Sequence, residues 1–291
     1  MGALQPEFGF AYRHFDAPLG GEIINLDLSA PLSDVAFDAL RKSFLDAQVL
    51  VFRNQFNLTP QQHIAFSRRF GELQIHVLKE FHLSGHPEIL VVSNVVENGR
   101  KIGLGDAGRY WHSDLSYKEE PSLGSLLHAQ ELPATEGDTI FANMYLAYET
   151  LPDPIKQRIE GRRAVHSYTL KYDDLRARSN ARNALTPEQL AQVAPVSHPI
   201  VRVHPETGRK ALFVSEGFAA RIEGLPEGES DELLKFLFAH STRPEFLYRH
   251  KWQPGDLLFW DNRATIHLAV GCPPDQRRTL YRTTVKGDKP V

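Results

Sequence analysis

The stretch QPGDLLFWDNRATIHLAV, residues 253–270, predicts two strands that follow each other closely. The turn-forming residues Gln253–Asp256 precede the apolar run Leu257–Trp260, and a polar turn, Asp261–Arg263, follows that run. His267 therefore lies early in a second strand, which begins soon after the first one ends. Two short strands in such close succession favour a fold built mainly from β-structure.

Short runs with a β-pattern recur along the rest of the chain. Each is rich in branched or aromatic residues and is bounded by Gly, Pro or Asn, which is typical of strands. Besides Leu257–Trp260, we predict strands at Gly21–Leu26, Val49–Phe52, Ile89–Asn94, Leu123–Gln130, Thr139–Phe141, Lys210–Val214, Phe246–Trp252 and Thr279–Val285.

Helical patterns are fewer, and four helices are predicted from cap residues and apolar spacing. One is capped by Ser33 and carries Phe37, Leu40 and Phe44; one runs from Thr59 and Pro60 to Gly71; one covers Leu146–Ile159, broken by Pro152 and Pro154; one is capped by Ser230 and carries Leu233, Leu234, Phe236 and Leu237. Many strands with a few helices predict a β-sandwich or barrel with helical cover.

The polar segment Lys171–Ala194 lacks a β-pattern, and it is either a partly helical lid or a mobile surface loop.

Composition limits the classes of protein to consider. The chain has 291 residues and a net charge of −3, a length that suits one large core or two small domains. Acidic and basic residues are mixed, so we expect no nucleic-acid partner. We identify neither a signal peptide nor a membrane-spanning run, and the single cysteine, Cys272, cannot form an internal disulfide. A reducing, cytoplasmic location is therefore expected.

His112 and Asp114 are candidate metal ligands. They lie two residues apart in RYWHSDLSY, so in an extended segment both side chains point to the same side. With His267 as a third ligand, two imidazoles and one carboxylate would hold one face of Fe(II) and leave the opposite positions open, as O₂-using non-haem iron sites do. The alternative is ordinary hydrogen bonding, which also produces such pairs.

Arg278 and Arg282 are candidate anion-binding residues. In the β-patterned run QRRTLYRTTVKG they share one face with Leu280. Buried arginines need an anion, and a ligand carboxylate would supply one through a bidentate contact. Thr139 could donate its hydroxyl proton to the same carboxylate. The alternative is an exposed edge strand on which these arginines remain solvated.

Four stretches, in order along the chain, resemble the taurine dioxygenase family of Fe(II)- and 2-oxoglutarate-dependent oxygenases. They are WHSD (111–114), ELPATEGDT (131–139), WDNRATIH (260–267) and QRRTLYR (276–282). That family also includes phenoxyacetate and alkylsulfate dioxygenases, and the similarity extends through nearly the whole chain. The resemblance implies one domain over residues 1–291, mainly β with peripheral helices around a double-stranded β-helix (jelly-roll) core, with an insertion at about 171–194. It also implies a homo-oligomer.

The resemblance assigns roles to particular residues. The implied metal ligands are His112, Asp114 and His267. The implied 2-oxoglutarate contacts are Arg278 and Thr139, while Arg282 contacts either the substrate anion or the other end of 2-oxoglutarate. The implied substrate-binding residues are His76, Lys79, Arg109, Tyr168, Phe218 and Arg282.

The same resemblance predicts the reaction. Fe(II), 2-oxoglutarate and O₂ would hydroxylate a small organic anion (a sulfonate, a sulfate ester, or an aryloxy or alkyl carboxylate) with release of succinate and CO₂. The hydroxylated product would collapse to an aldehyde or ketone plus sulfite, sulfate or phenol.

The chain departs from taurine dioxygenases at Ala107 and Gly108, where those enzymes are expected to carry acceptors for the substrate amine. Taurine dioxygenase proper, a zinc or manganese isomerase or lyase, and a non-catalytic anion-binding protein remain alternatives.

Overall fold

Short strands and a few helices alternate along the chain in the computed structural model, which describes residues 8–105, 107–178 and 184–291, without the side chains of residues 173–175, 177 and 178. The helices are α1 (Asp34–Ala47), α2 (Pro60–Arg68), α3 (Met144–Glu149), α4 (Asp153–Ile159), α5 (Thr169–Arg178), α6 (Pro187–Gln192) and α7 (Glu227–Ser241). The strands are β1 (Ala11–His14), β2 (Gly21–Ile24), β3 (Val49–Phe52), β4 (His82–Leu83), β5 (His86–Ser93), β6 (Val96–Glu97), β7 (Arg100–Lys101), β8 (Ser122–Glu131), β9 (Thr139–Asn143), β10 (Arg163–His166), β11 (Val196–Pro199), β12 (Val201–Val203), β13 (Lys210–Leu212), β14 (Ala219–Ile222), β15 (Leu247–His250), β16 (Leu257–Asp261), β17 (Thr265–Ala269) and β18 (Thr279–Lys286).

Two sheets position the candidate site. The larger has eight strands in the order β1-β2-β3-β16-β8-β18-β5-β4, and a three-stranded sheet has the order β15-β9-β17. All pairs in them are antiparallel except β2 with β3. His267 lies on β17, as predicted, while Arg282 lies on β18. Because β18 pairs with β8 on one side and β5 on the other, the exposed-edge alternative for the arginine strand is wrong.

The larger sheet is covered on both faces. On one face, helices α1 and α2 pack through aromatic side chains, and the rings of Phe44 and Phe259 stack with centroids 3.8 Å apart. On the other face, Trp260 meets Phe141 of the small sheet at 5.6 Å. The His267 ring packs on the same Trp260 at 4.8 Å, so the candidate site lies where the two sheets meet.

The predicted starts of the first two helices are confirmed. Ser33 caps α1 by accepting a hydrogen bond from Ala36 N, and Thr59 forms a capping box with Gln62 at the start of α2. Helix α2 ends at Arg68, earlier than the predicted end at Gly71. The third predicted helix is two helices, α3 and α4, separated at Pro152 as its prolines indicate.

The predicted cap of the fourth helix is wrong. Helix α7 begins at Glu227, after Pro226, so Ser230 lies inside its first turn. The Ser230 hydroxyl instead accepts a hydrogen bond from Ile222 N of β14 at 2.8 Å, which links the helix to the sheet. Phe236, predicted on the apolar face, is 40% exposed.

The polar segment 171–194 contains the greater part of α5 and all of α6, while residues 179–183 lie outside the described residues. Its partly helical character is as predicted, and its role as a lid stays a prediction. Within the described part of the chain, the helices are too short or too polar to span a bilayer.

Buried His63 makes the stability of the fold depend on pH. It lies on α2 with only 1% of its surface exposed, and its Nε2 is 3.2 Å from Oγ1 of Thr283 on β18. Burial, assisted by the neighbouring His128, lowers its pKa from 6.5 to about 3. Between these two values the unfolded chain binds a proton that the folded protein does not, so the free energy of unfolding falls as pH decreases from 6.5.

We predict that His63 accounts for a loss of about 1–2 kcal/mol in the free energy of unfolding between pH 6.5 and 5. Urea denaturation of the wild-type protein and of His63→Asn across this range measures the difference in slope. His14→Asn, at an exposed histidine, is the matched control. Equal pH slopes for wild type and His63→Asn would contradict the prediction.

Candidate metal and co-substrate site

Main-chain hydrogen bonds bring the two candidate histidine ligands together. His112 and His267 form an isolated antiparallel bridge in which each N–H donates to the other's carbonyl, at 3.0 and 2.8 Å. The chain turns at Asp114, so the extended segment predicted around this pair ends there. One potential ligand atom from each of His112, Asp114 and His267 lies within 4.8 Å of the others, and all three residues are buried.

The orientation of the imidazoles leaves their Nε2 atoms available for a metal. His112 Nδ1 lies 2.8 Å from the carbonyl of Tyr110, so it carries the proton and donates. The Nε2 atoms of His112 and His267 lie 3.6 and 3.9 Å from the Asp114 oxygens, too far for hydrogen bonds. Burial, followed by the charge of His112, holds the pKa of His267 well below its ordinary value, so this imidazole is neutral.

Asp114 is held by groups from three different elements. Its Oδ2 accepts from Ser125 Oγ of β8 at 2.7 Å, and its Oδ1 accepts from Arg282 Nη1 of β18 at 3.1 Å. Asn262, in the turn before β17, accepts from Asp114 N at 3.2 Å. Burial would raise the pKa of Asp114, but Arg282 and the two histidines outweigh it and hold the pKa well below its usual range. The carboxylate is therefore ionised, and the donor set suits a divalent metal such as Fe(II).

A cavity of about 210 Å³ lies beside the triad and is lined by Arg278. Arg278 is 9% exposed; its Nη2 donates to Gly137 O at 3.2 Å, and its buried Nε has no partner among the described residues. Burial lowers the pKa of Arg278 to about 10, which still leaves it charged at neutral pH. Ala269, paired with Thr139 of β9, also lines the cavity. Thr139 Oγ1 accepts from Trp252 Nε1 at 3.1 Å, so its own proton is free for a carboxylate.

Aromatic side chains form a wall on another side of the triad. Phe218 lies 6.0 Å from His112 between ring centroids, and Tyr117 links Phe218 to Tyr168 at 5.0 and 4.6 Å. We call the cluster the aromatic wall; its members are Tyr110, Leu115, Tyr117, Tyr168, Tyr172, Leu185, Val193 and Phe218. Tyr172, Leu185 and Val193 come from the segment predicted as a lid.

His76 is oriented as a neutral hydrogen-bond donor. Its Nδ1 accepts from Leu78 N at 3.1 Å, which leaves the ring proton on Nε2. Burial lowers the pKa of His76 to about 3, and the positive charge of Arg282 acts in the same direction. The other charges that act on it are those of His82 and Lys118, which lower the pKa, and of Asp114, which raises it. Asp114, the candidate metal ligand, is thus close enough to His76 for its charge to act on the imidazole.

Two predicted substrate residues occupy other positions. Lys79 is exposed on a one-turn helix, Lys79–Phe81, and its charge is not among those that shift the pKa of His76. Arg109 lines the same cavity as Arg278.

Sequence reasoning missed Ser125, Asn262 and Lys118 as site residues. Only Lys118 had a visible signal, because it closely follows the HSDLS stretch.

Residues 11–284 match the family described as "Taurine catabolism dioxygenase TauD, TfdA family". The chain belongs to the TauD/TfdA family. It is 36% identical over 281 residues to the alpha-ketoglutarate-dependent 2,4-dichlorophenoxyacetate dioxygenase of Burkholderia sp. (strain RASC), covering 92% of this chain and 91% of that protein. It is 32% identical over 276 residues to the alpha-ketoglutarate-dependent sulfate ester dioxygenase of Pseudomonas putida, covering 94% and 88%.

A solved structure is similar to this chain over nearly its whole length. The crystal structure of AAD-2 in complex with Mn(II) and N-oxalylglycine has a TM-score of 0.80 and 32% identity, covering 97% of this chain and 98% of that one. These comparisons and the clustered triad confirm the predicted family and enzyme class, a dioxygenase that uses Fe(II), 2-oxoglutarate and O₂.

We predict that Ser125→Ala weakens Fe(II) or Mn(II) binding by about tenfold, because groups that orient a metal ligand typically contribute this much to affinity. The change removes the 2.7 Å bond to Asp114 and leaves Asn262 Nδ2, at 3.5 Å, as the nearest replacement. Anaerobic metal titration measures it. Ser67→Ala is the control, since Ser67 is equally buried but bonds Thr283. Equal weakening in both variants would mean a general effect on folding.

Proposed function

We propose that this TauD/TfdA dioxygenase hydroxylates a small organic anion: a sulfonate, a sulfate ester, or an aryloxy or alkyl carboxylate. Where the hydroxylated carbon carries a sulfonate, sulfate or aryloxy group, the product would collapse to an aldehyde or ketone plus sulfite, sulfate or phenol, whereas an alkyl carboxylate would give a hydroxy acid. The single observation that carries the proposal is the placement of an open two-histidine, one-carboxylate cluster beside cationic side chains. The relatives named for a chlorophenoxyacetate and for sulfate esters support the same class.

His112, Asp114 and His267 would hold the metal. When bound, Fe(II) with 2-oxoglutarate and O₂ supplies oxidation of a substrate C–H bond, with conversion of 2-oxoglutarate to succinate and CO₂. The chain's own residues prepare this site. Tyr110 O fixes the tautomer of His112, while Ser125 orients the Asp114 carboxylate.

Arg278 and Thr139 would bind the distal carboxylate of 2-oxoglutarate. A guanidinium pairs with a carboxylate in a bidentate way, and the buried Nε of Arg278 has no partner among the described residues. Trp252 Nε1 donates to Thr139 Oγ1, so the Thr139 hydroxyl proton would remain available to donate to the 2-oxoglutarate carboxylate. Arg282 would contribute mainly through Asp114. Its buried Nε has no partner among the described residues and could bind a further anion.

His76 and the aromatic wall would bind the substrate. The Nε2–H of His76 suits an oxygen of the anionic group, and the charges of Arg282 and Lys118 favour the same anion. Tyr168 and Phe218 would cover the organic part and exclude water. Lys79 would meet the anion only by reaching in from the surface.

Taurine would be disfavoured as a substrate because Ala107 and Gly108 offer no side-chain acceptor for its ammonium group. At Gly108 the backbone takes φ +71°, and a side chain there would begin 3.0 Å from His112 Cε1, so an amine-binding residue would be strained. Taurine dioxygenase proper is the second candidate function.

The proposal includes three further points. The two packed sheets support a double-stranded β-helix core for a single domain over residues 1–291. The contacts of Tyr172 and Val193 with the aromatic wall support a lid at about 171–194. A cytoplasmic homo-oligomer without nucleic-acid or membrane partners completes it.

We predict that Arg278→Ala raises the 2-oxoglutarate concentration needed for half-maximal succinate release by at least about tenfold, since a charge-assisted contact contributes about 1.5–3 kcal/mol. Arg277→Ala is the matched control, because Arg277 is exposed and pairs with Glu131 and Glu97 at 2.7 and 3.2 Å. Turnover that needs neither O₂ nor 2-oxoglutarate would instead indicate an isomerase or lyase. Binding without turnover of any anion would indicate an anion-binding protein.

We predict that propane-1-sulfonate is turned over at least about tenfold more efficiently than taurine, because the two differ only by a methyl group in place of an ammonium group that would stay unpaired. Coupled succinate release measures kcat/KM for both, alongside an alkyl sulfate and a phenoxyacetate. A taurine kcat/KM equal to that of propane-1-sulfonate would favour taurine dioxygenase proper.

A further inference from the structure

A second arginine shares the cavity that Arg278 lines. The wall of this cavity of about 210 Å³ includes Val92, Asn94, Ala269 and Gly271, with the side chains of Arg109 and Arg278. No acidic side chain belongs to the wall among the described residues; Asp106 lies outside them. Among the described residues, the cavity wall thus carries two guanidinium groups and no carboxylate. Asp138, whose charge also acts on Arg278, lies outside the wall and pairs with Arg249 at 2.6 Å.

The backbone directs Arg109 to this cavity. Gly108 adopts φ +71°, and its carbonyl accepts from Ala269 N at 2.7 Å, so the loop is tied to the end of β17. The Arg109 guanidinium then lies directly over Gly271. A Cβ atom at position 271 would come 1.1 Å from Nη1 and 2.0 Å from Cζ of Arg109, so the absence of a side chain there leaves space for the guanidinium.

A short hydrogen-bonded path links Arg278 to Gly271, over which the Arg109 guanidinium lies. Gly137 N donates to Gly271 O at 2.7 Å, and Gly137 O accepts from Arg278 Nη2 at 3.2 Å. The positive charge of Arg109 is close enough to lower the pKa of Arg278 further, after the larger effect of burial. Such repulsion between like charges is relieved when an anion binds between them.

Arg109 is also uncommitted. It is exposed, and it forms no hydrogen bond or ion pair with the described residues, unlike Arg277 nearby. A solvated arginine normally points away from another cation, but here the loop and Gly271 hold it at the cavity. An anion in the cavity would be reached by Arg278 from the buried side and by Arg109 from the mouth.

We propose that Arg109 is a second carboxylate-binding residue of the co-substrate cavity. Its guanidinium would contact the same distal carboxylate of 2-oxoglutarate that Arg278 binds. Arg109 thereby makes the cavity selective for 2-keto acids that carry a second carboxylate. This role differs from the substrate contact expected from sequence, and it rests on the proposed binding of 2-oxoglutarate by Arg278.

Calorimetry on Mn(II)-loaded protein under argon tests this without turnover. The probes are 2-oxoglutarate and 2-oxopentanoate, which has the same carbon chain without the distal carboxylate. We expect Arg109→Ala to weaken 2-oxoglutarate binding about fivefold and to leave 2-oxopentanoate binding unchanged. The expected effect is smaller than for a buried charge-assisted contact, because Arg109 is exposed. Arg109→Lys should retain most of the affinity, and Arg277→Ala should bind both ligands as wild type does.

The outcomes separate this inference from the function on which it rests. If wild type shows no preference for 2-oxoglutarate over 2-oxopentanoate and Arg278→Ala changes nothing, both the clamp and the role of Arg109 are overturned. If Arg278→Ala loses affinity while Arg109→Ala does not, only the role of Arg109 is overturned. The role of Arg109 is also overturned if Arg109→Ala weakens the binding of 2-oxoglutarate and 2-oxopentanoate equally. It is overturned as well if the variant loses affinity only for the organic substrate. Unchanged melting temperatures confirm that the variants fold.

Discussion

The buried carboxylate of Asp114 is the constraint on which the site depends. A carboxylate removed from water is strongly unfavourable unless charges and hydrogen bonds compensate it. The compensation comes from Ser125 on β8 and Arg282 on β18, and the neighbouring imidazole of His267 lies on β17. Both β8 and β18 belong to the larger sheet, whereas the segment that carries Asp114 is tied to β17 of the smaller sheet by the main-chain bridge between His112 and His267. The carboxylate therefore meets its partners only when the two sheets are packed together. The geometry of the metal ligands is therefore a consequence of the tertiary fold.

The two inward arginines of the β18 region differ in how their charge is balanced. Arg282 has an internal partner, since its Nη1 meets Asp114 at 3.1 Å. Arg278 has only the carbonyl of Gly137 and a buried Nε without a partner in the described part of the chain. A buried cation without a counter-charge is costly, and a ligand carboxylate removes that cost. This asymmetry supports the proposed roles, Arg278 in binding a ligand and Arg282 primarily at the metal site, although the two residues look equivalent in sequence.

Local sequence patterns predicted those features that depend on local chemistry. The caps at Ser33 and Thr59, the strand Val49–Phe52 and the strand that carries His267 follow from short-range propensity and turn residues. The cap at Ser230 was wrong because a hydroxyl that is close to a helix start can equally bond a neighbouring strand. The strands β10, β11, β12 and β14 were missed, since each has at most four residues and is interrupted by polar side chains.

The candidate site likewise contains some residues that local sequence patterns predict and others that they do not. The triad and the arginines could be found from residue type and spacing, whereas Ser125 and Asn262 act through partners more than ten residues away. The position of Arg109 depends on a left-handed turn at Gly108 and on the missing side chain of Gly271. Neither requirement is visible in a side-chain pattern, because glycine has many other uses.

The metal ligands and the proposed substrate contacts rest on different parts of the chain. The groups that hold Asp114, His112 and His267 lie on strands β8, β17 and β18, in the turn before β17, and in the loop that carries Tyr110. The aromatic wall, by contrast, takes Tyr172 from α5 and Val193 from just after α6, both within the polar segment 171–194. Substitutions in that segment would reshape the wall without disturbing the compensation of Asp114. One dioxygenase core can therefore accept different organic groups while its metal ligands stay the same.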